Sequence, residues 1–302
     1  MKNGQIWLDD QGKLIQAHGG MIARFGSRWY WYGENKDAPN CPGTTRVDVI
    51  GVSCYSSADL RSWHDEGLAL AADGSAPELH PTQVLERPKV LFNEKTGKYV
   101  MWFHSDSPDY TQAKAGCAVA DAPTGPFRFL HAMQPNRLDC RDMTLFVDQE
   151  NRAWLVHSAN WNKTLYFSRL TEDYLGFTGE TYATLIDQER EAPALCYRDG
   201  RYYSVTSGCT GWSPNAALYA VSPHVNCGWK LIDNPCTGVE ASTTYQGQPT
   251  WMFEHEGQLY LMLDHWKPHD LRHSGYSILP VSINGLTMEI PWQETVLEEE
   301  AP

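Results

Sequence analysis

The stretch Trp29-Tyr30-Trp31-Tyr32-Gly33-Glu34 is a short aromatic run that ends in a small and a charged residue. Runs of this kind favour a β-strand. Similar stretches recur along the chain, at a spacing near 50 residues over most of it. The other four are Tyr99-Val100-Met101-Trp102-Phe103-His104, Ala153-Trp154-Leu155-Val156-His157-Ser158, Tyr202-Tyr203-Ser204-Val205-Thr206-Ser207 and Leu259-Tyr260-Leu261-Met262-Leu263-Asp264.

Each of the five stretches follows a turn that contains a residue able to adopt positive φ, such as Gly26, Gly97 or Gly200. Before each turn lies a further apolar segment, so each stretch is predicted to close a β-hairpin. The upstream segments, which lie before the turns, are Met21-Ile22-Ala23-Arg24, Lys89-Val90-Leu91-Phe92, Met143-Thr144-Leu145-Phe146, Ala194-Leu195-Cys196-Tyr197 and Thr250-Trp251-Met252-Phe253. More strand-like segments follow each stretch and give about four strands per unit.

Five repeats of about four strands, without a convincing amphipathic helix, predict an all-β fold, a five-bladed β-propeller. No linker or change of composition divides the chain, so we expect one propeller domain over residues 1–302. The alternative architecture, an array of β-sandwiches, does not predict such even spacing.

Charge and composition exclude several classes of partner. The net charge is -13 and no Lys/Arg-rich run is present, which argues against nucleic acid and anionic membranes as partners. Neither a signal-like apolar segment nor an apolar run of about 18 residues is found. We therefore expect a soluble protein, cytoplasmic as the sequence stands, or periplasmic or secreted if a signal peptide was removed. The eight cysteines lack a C-x-x-C pair and are expected to be reduced thiols.

Polar residues stand just before the upstream strand of every repeat. In a propeller the loops that enter the innermost strands meet at one face, so these residues should converge on one funnel. The five positions read Gln16-Ala17-His18-Gly19-Gly20, Glu86-Arg87-Pro88-Lys89, Arg141-Asp142, Glu191-Ala192-Pro193 and Gln246-Gly247-Gln248.

Three of these positions are carboxyls, namely Glu86, Asp142 and Glu191. Grouped carboxyls are what glycoside hydrolysis requires, because one must protonate the leaving oxygen while another group activates water. Crowded negative charge raises one pKa and keeps that acid protonated at neutral pH. Any one of the three taken alone could instead be a solvated turn residue or an ion-pair partner.

Other charged and aromatic residues are interpreted from their position in the repeats. Four carboxyls that do not stand just before an upstream strand, or that sit in turns, are interpreted as structural: Glu34, Asp59, Glu66 and Asp264. Four aromatic residues near the predicted mouth are expected to stack on sugar rings: Trp31, Tyr110, Trp161 and Trp212.

Taken in order, several motifs resemble glycoside hydrolase family 43, and within it the branch of the exo-β-1,3-galactanases. The motifs are His18-Gly19-Gly20, Trp29 to Glu34, Tyr55-Ser56-Ser57-Ala58-Asp59-Leu60, Glu86-Arg87-Pro88-Lys89-Val90, Arg141 to Phe146, Glu191-Ala192-Pro193 and Thr206-Ser207-Gly208-Cys209-Thr210-Gly211-Trp212. The resemblance implies a five-bladed propeller and an inverting enzyme that releases galactose from the non-reducing end of β-1,3-galactan, such as the arabinogalactan backbone.

The resemblance also implies roles for single residues. Glu191 matches the general acid, and Asp142 matches the aspartate that raises the pKa of the acid and orients it. Most of the family has an aspartate base on the first blade, which this sequence lacks. In the galactanase branch a glutamine, here Gln248, is proposed to hold the attacking water. Glu86 matches a sugar contact and remains the second candidate for activating water.

By the same likeness Arg87, Tyr110, Asn160, Thr206 and Gly208 would line the sugar pocket. Trp212 and His18 complete the set of expected substrate contacts. No cofactor is expected and no metal-ligand set can be recognised, although parts of the family hold a divalent ion on the propeller axis. Because no carbohydrate-binding module follows the fifth repeat, weak binding to insoluble polymer is expected.

Three other functions stay open at this point. A family 43 α-L-arabinofuranosidase or β-xylosidase would keep the mechanism and change the sugar, and the missing first-blade aspartate argues against it. A non-catalytic galactoside-binding propeller would bind without hydrolysis. A protein-interaction propeller would need no ring of carboxyls.

Overall fold

A computed structural model describes residues 1–297 and contains five β-sheets. Blade one holds β1 to β4 at His18–Phe25, Arg28–Glu34, Gly51–Ser57 and His64–Ala71. Blade two holds β5 to β8 at Val84–Asn93, Lys98–Asp106, Lys114–Ala120 and Arg128–Met133. Blade three holds β9 to β12 at Met143–Val147, Ala153–Ala159, Thr164–Leu170 and Phe177–Thr184. Blade four holds β13 to β16 at Arg190–Arg198, Arg201–Gly208, Leu218–Ser222 and Lys230–Leu231.

Blade five departs from the expected four strands. It contains β17 to β21 at Cys236–Thr237, Gln248–His255, Gln258–His265, Gly275–Asn284 and Thr287–Pro291. Its short first strand pairs in parallel with β21 at the outer edge, whereas the other pairs are antiparallel. Short 3₁₀ helices cover Pro77–Leu79, Pro135–Arg137, Ala241–Gln246 and Leu271–His273.

The innermost strands form a closed ring. β1 contacts β5 and β18, β5 contacts β9, β9 contacts β13, and β13 contacts β18. The predicted five-bladed β-propeller is therefore confirmed. The expected domain of residues 1–302 includes residues 298–302, which lie outside the described part of the chain.

Large aromatic side chains fill the spaces between blades. Trp31, Trp63, Trp102 and Trp154 are completely buried. Trp31 and Trp63 share a cluster with Tyr276 and other fifth-blade residues, so they pack between blades one and five. The expectation that Trp31 stacks on a sugar at the cavity mouth is wrong, because its side chain has no exposed surface.

The eight cysteines are all free thiols, and most are buried. Within residues 1–297 no helix has the length and apolar character needed to cross a membrane.

Candidate active site

Four of the five innermost strands change register where they enter the funnel. The shifts lie between His18 and Met21, Glu86 and Lys89, Glu191 and Ala194, and Pro249 and Trp251. Such β-bulges redirect side chains and are frequent beside active sites. In the first, second and fourth blades the residue after His18, Glu86 or Glu191 adopts a left-handed backbone conformation. The φ values are 57° at Gly19, 55° at Arg87 and 52° at Ala192.

A cavity of about 310 Å³ opens at the end of the funnel. Seven of the predicted site residues line it: Glu86, Arg87, Tyr110, Asp142, Glu191, Trp212 and Gln248. These residues come from the second to the fifth blade and lie far apart in sequence. The common position before each innermost strand therefore does bring them together.

Glu191 lies between two amide groups. Its Oε2 accepts a hydrogen bond from Asn162 Nδ2 at 2.9 Å, and its Oε1 accepts one from Gln248 Nε2 at 3.2 Å. Burial and the negative charge of Asp142 raise the pKa of Glu191 to about 8. A carboxyl of this kind is largely protonated at neutral pH and can act as a proton donor.

Asp142 is held as an ionised partner of Arg87. Arg87 Nη2 lies 3.0 Å from Asp142 Oδ2, and the same oxygen accepts a hydrogen bond from the Ala192 N–H at 3.0 Å. The buried guanidinium also donates to Gln248 Oε1 at 2.7 Å and to the carbonyl of Pro249 at 3.1 Å. Arg87 thus links carboxyl and amide groups of three blades.

Gln248 has a partner on each side of its amide. Its oxygen accepts from Arg87 and from Trp266 Nε1 at 2.9 Å, and its nitrogen donates to Glu191 and to Ser207 Oγ at 3.1 Å. Since the two donors fix which end is oxygen, the nitrogen must face the acid. The side chain is therefore held rigidly beside Glu191.

Glu86 is also fixed at both oxygens. Tyr110 OH donates to Oε1 at 2.8 Å, and His104 Nδ1 lies 3.2 Å from Oε2. Burial acts to raise the pKa of Glu86, but the hydrogen bond and charge of His104 outweigh it and lower the pKa to about 2. Glu86 is therefore a carboxylate at neutral pH and a weak base.

Four expected sugar contacts lie outside the lining of this cavity. His18 is buried against Tyr276, with its Nε2 3.0 Å from the hydroxyl. Thr206 is buried, and its hydroxyl accepts from Arg190 Nε at 3.0 Å. Gly208 pairs with Arg190 across the sheet, and Asn160 Nδ2 donates to Tyr166 OH at 3.3 Å. Their positions give no support for direct substrate contact.

Two expected aromatic platforms have exposed side chains. Trp212 is 41% exposed, lines the cavity and donates from Nε1 to Thr45 Oγ1 at 3.0 Å. Trp161 is 67% exposed and stacks on Arg141, whose guanidinium carbon lies 4.1 Å from the ring centre. An exposed indole face can pack against the apolar face of a sugar ring.

The other lining residues are Glu34, Lys36, His104, Arg141, Asn162, Gly211 and Trp266, of which only Arg141 stood among the polar positions expected at the funnel. Glu34 corrects an expectation, because it was interpreted as structural and instead reaches the cavity. A signal for two of them was available. Glu34 and His104 are the last residues of the recurring stretches, and they pair across the sheet with His18 and Glu86.

The residues between the innermost strands do not fit a divalent ion on the axis. The buried Lys89 ammonium donates to the carbonyls of Gly19 and Arg87 at 2.8 and 3.4 Å. Burial and the charge of Arg87 lower the pKa of Lys89 to about 7. Among the described residues no group of three or more His, Cys, Asp or Glu side chains is placed to hold a metal ion.

The family model "Glycosyl hydrolases family 43" matches residues 20–275, which is most of the chain. The chain belongs to glycosyl hydrolase family 43. It is therefore a glycoside hydrolase, and a buried carboxyl with a raised pKa, such as Glu191, agrees with that chemistry. No curated protein sequence matches the chain.

Solved structures resemble this family 43 enzyme over nearly its whole length. A family 43 β-1,3-galactosidase solved with galactodeoxynojirimycin is 33% identical, with a TM-score of 0.91 over 98% of this chain and 99% of that one. An exo-β-1,3-galactanase from Clostridium thermocellum is 35% identical, with a TM-score of 0.88 over 97% of this chain and 65% of that one. One from Phanerochaete chrysosporium, solved with β-1,3-galactotriose, is 30% identical, with a TM-score of 0.89 over 96% and 66%.

Proposed function

We propose that this family 43 enzyme is an exo-acting, inverting glycosidase that releases galactose from the non-reducing end of β-1,3-galactan. The observation that carries the proposal is the pairing of a carboxyl of raised pKa, Glu191, with an arginine-bound aspartate, Asp142, in one cavity. The sugar is proposed because the similar structures include a β-1,3-galactosidase and exo-β-1,3-galactanases.

In this mechanism Glu191 donates its proton to the glycosidic oxygen as the bond to galactose breaks. Asp142 stays ionised beside Arg87, and its charge keeps Glu191 protonated until the leaving oxygen takes the proton. The Ala192 N–H bond to Asp142 joins the two carboxyls through the backbone that follows the acid. Asp142 therefore tunes the acid without exchanging a proton itself.

Gln248 is proposed to position the attacking water, with Glu86 as the second candidate. Gln248 lines the cavity, and Arg87 and Trp266 fix its amide oxygen. To hold water for inversion its amide must leave Glu191, 3.2 Å away, because the water attacks from the opposite face across ~6.5–9.5 Å. Glu86 is an ionised acceptor, but its lowered pKa makes it a poor base. Glu86 is better suited to accept hydrogen bonds from sugar hydroxyls, together with Tyr110.

The test compares the wild-type enzyme and Glu191→Gln on β-1,3-galactobiose. We expect Glu191→Gln to lose nearly all hydrolysis and to retain sugar binding, because the amide keeps the shape but has no acidic proton. Proton NMR of the wild-type reaction should show α-galactose first, since inversion changes the anomer. Wild-type turnover by Glu191→Gln, or β-galactose as the first product, would contradict the proposal.

The same assay separates the two water candidates. Removing the group that holds water should lower kcat with little change in KM, whereas removing a sugar contact should raise KM. We expect the first result for Gln248→Ala and the second for Glu86→Gln. The reverse pattern would assign the water to Glu86. A wild-type enzyme that binds galactobiose without any hydrolysis would instead be a galactoside-binding propeller.

A further inference from the structure

His104 stands directly opposite Glu86 in the sheet of the second blade. The two residues are register partners of strands β6 and β5, so their side chains lie on the same face. His104 Nδ1 lies 3.2 Å from Glu86 Oε2, and its Nε2 lies 3.0 Å from Asp106 Oδ2. Asp106 is two residues further along the same strand, which places it on that face too.

The surroundings of Asp106 stabilise its ionised carboxylate form. Its Oδ1 accepts hydrogen bonds from the backbone N–H groups of Ser107, Gln112 and Ala113 at 2.8 to 2.9 Å. Its Oδ2 faces His104, with Arg141 Nη1 3.8 Å away. Three N–H donors on one oxygen and the guanidinium near the other stabilise the charged form of this buried carboxyl.

Both ring nitrogens of the buried His104 therefore face carboxylate oxygens. A neutral imidazole has one donor nitrogen and would direct a lone pair at one of these carboxylates, whereas an imidazolium donates to both. With a carboxylate at each ring nitrogen, the contacts favour His104 as a cation between two anions.

We propose that His104, held by Asp106, is a positioning residue that keeps Glu86 ionised and oriented as the acceptor for a pair of sugar hydroxyls. The proposal rests on the proposed function. His104 binds one oxygen of Glu86 and Tyr110 binds the other, so each oxygen keeps lone pairs free for the cavity. A carboxylate held at both ends can accept from two neighbouring hydroxyls at once, which selects a pyranose by the positions of its hydroxyl groups.

The pKa values agree with this geometry. Burial acts to lower the pKa of His104, but the hydrogen bonds with Asp106 and Glu86 raise it to about 9. Burial acts to raise the pKa of Asp106, but His104 and the backbone N–H groups lower it to about 2. Other titratable groups also face the pair, from the first blade, from the loop after β6 and from the start of the third blade. They are Glu34, Lys36, Tyr110 and Arg141.

The protein contains its own reference histidine. His157 is as deeply buried as His104, but its Nδ1 faces the carbonyl of Asp139 at 3.1 Å and its Nε2 faces Ser168 Oγ at 3.1 Å. No carboxylate touches its ring in these contacts, and burial lowers its pKa to about 4. His157 should therefore be neutral where His104 is charged.

The first experiment needs no ligand. In protein labelled with ¹⁵N-histidine, both ring nitrogens of His104 should give imidazolium shifts at pH 7 and lose them only near pH 9, while His157 gives neutral shifts throughout. The variant Asp106→Asn keeps the shape of the side chain and should make His104 neutral at pH 7. The ¹³C carboxyl signal of Glu86, assigned with Glu86→Gln, should then titrate at a higher pH than in wild type.

The second experiment measures sugar binding and hydrolysis. For Asp106→Asn and His104→Gln we expect the Kd for β-1,3-galactobiose to rise about tenfold or more, because a charge-assisted acceptor is weakened. The loss of affinity should grow from pH 7 to pH 5 as Glu86 gains a proton, and kcat should change less than KM. The control His64→Gln removes an exposed His–Asp pair on the outer strand of blade one and should change nothing.

Two results would overturn the proposal. One is a neutral His104 in the wild-type protein at pH 7. The other is an affinity for galactobiose that Asp106→Asn leaves unchanged at both pH values. If the wild-type protein neither binds nor hydrolyses galactobiose, the proposed function fails and the sugar-recognition part of this inference fails with it. The NMR titrations would still decide whether Asp106 and His104 control Glu86.

Discussion

At the scale of single residues, Asp142 and Glu191 differ in protonation because Arg87 forms an ion pair with Asp142 and no hydrogen bond with Glu191. The hydrogen bonds and the ion pair of Arg87 go to Asp142, Gln248 and Pro249. Glu191 receives hydrogen bonds from the side-chain amides of Asn162 and Gln248 instead. The positive charge therefore favours ionised Asp142. It also acts to lower the pKa of Glu191, but burial and the charge of Asp142 outweigh it, and Glu191 keeps its proton.

This arrangement predicts the pH dependence of hydrolysis. Because burial and Asp142 raise the pKa of Glu191 to about 8, the acid is active below that pH, and kcat/KM should fall as the pH rises through about 8. In Asp142→Asn the negative charge is gone, so the pKa of Glu191 should fall and the alkaline limb should move to lower pH. Residual kcat should also be much reduced.

The measurement is a pH profile of kcat/KM for both proteins on β-1,3-galactobiose. The exposed pair of Lys95 and Glu172 supplies a control, because Glu172→Gln removes a carboxylate on the second and third blades' outer surface without a change near the cavity. An alkaline limb that stays in place in Asp142→Asn would mean that burial alone sets the pKa of Glu191.

At the scale of strands, the β-bulges decide which residues reach the cavity. A side chain on a strand changes faces when the register shifts by one residue, so a bulge moves the residues around it relative to the rest of the strand. In β1 the bulge includes Gly19, whose N–H donates to Asp264 Oδ2 at 3.1 Å. A Cβ at Gly19 would lie 2.2 Å from Glu34 Oε1.

Gly19→Ala is therefore predicted to harm both stability and function. Its φ of 57° is unfavourable for alanine. The new methyl would also push Glu34 aside and break the hydrogen bond, 2.9 Å long, that the Arg87 N–H donates to Glu34 Oε1. We expect a loss of more than about 2 kcal/mol of stability and a lower kcat/KM. Thermal unfolding and kinetics on β-1,3-galactobiose measure the two effects.

Gly26 provides the matched control in the turn between β1 and β2. Its φ is 61°, close to that of Gly19, but a Cβ there would meet nothing within 4 Å. Gly26→Ala should thus cost only about 1 kcal/mol, from the backbone, and leave activity unchanged. Equal effects of the two substitutions would show that the contact with Glu34 is unimportant.

The bulges also explain how far the sequence could predict the molecule. The five stretches and their turns predicted the blades, because strand periodicity and turn residues are local signals. Their shared position just before the upstream strands predicted that Glu86, Asp142, Glu191 and Gln248 would line one cavity. His104 and Glu34 were not predicted to line it, since their facing depends on pairing with another strand across a bulge.

At the scale of the whole molecule, the two ends of the described chain are joined within the fifth blade. The N–H of Gly4 donates to the carbonyl of Tyr276 at 2.9 Å, and the N–H of Tyr276 donates to the carbonyl of Gln5 at 3.0 Å. The Asn3 N–H donates to the carbonyl of Glu294 at 3.0 Å. The first residues thus lie between β20 and the segment after β21, and they connect blade one to blade five.

This junction predicts that Asn3 contributes to the stability of the entire ring. Its buried side chain accepts from the Ile278 N–H at 2.9 Å and donates to the carbonyls of Ile278 and Gln293 at 3.3 and 3.0 Å. In Asn3→Leu these buried backbone groups lose their partners, at a cost of about 2 kcal/mol or more.

Because each blade packs on the next, we expect a lower Tm for Asn3→Leu in a single transition, measured by calorimetry. Gln11→Leu, which also replaces a side-chain amide by leucine but at an exposed turn position, should leave Tm nearly unchanged. An early separate transition for blade five in Asn3→Leu would instead show that the blades unfold independently and that the junction stabilises only its own sheet.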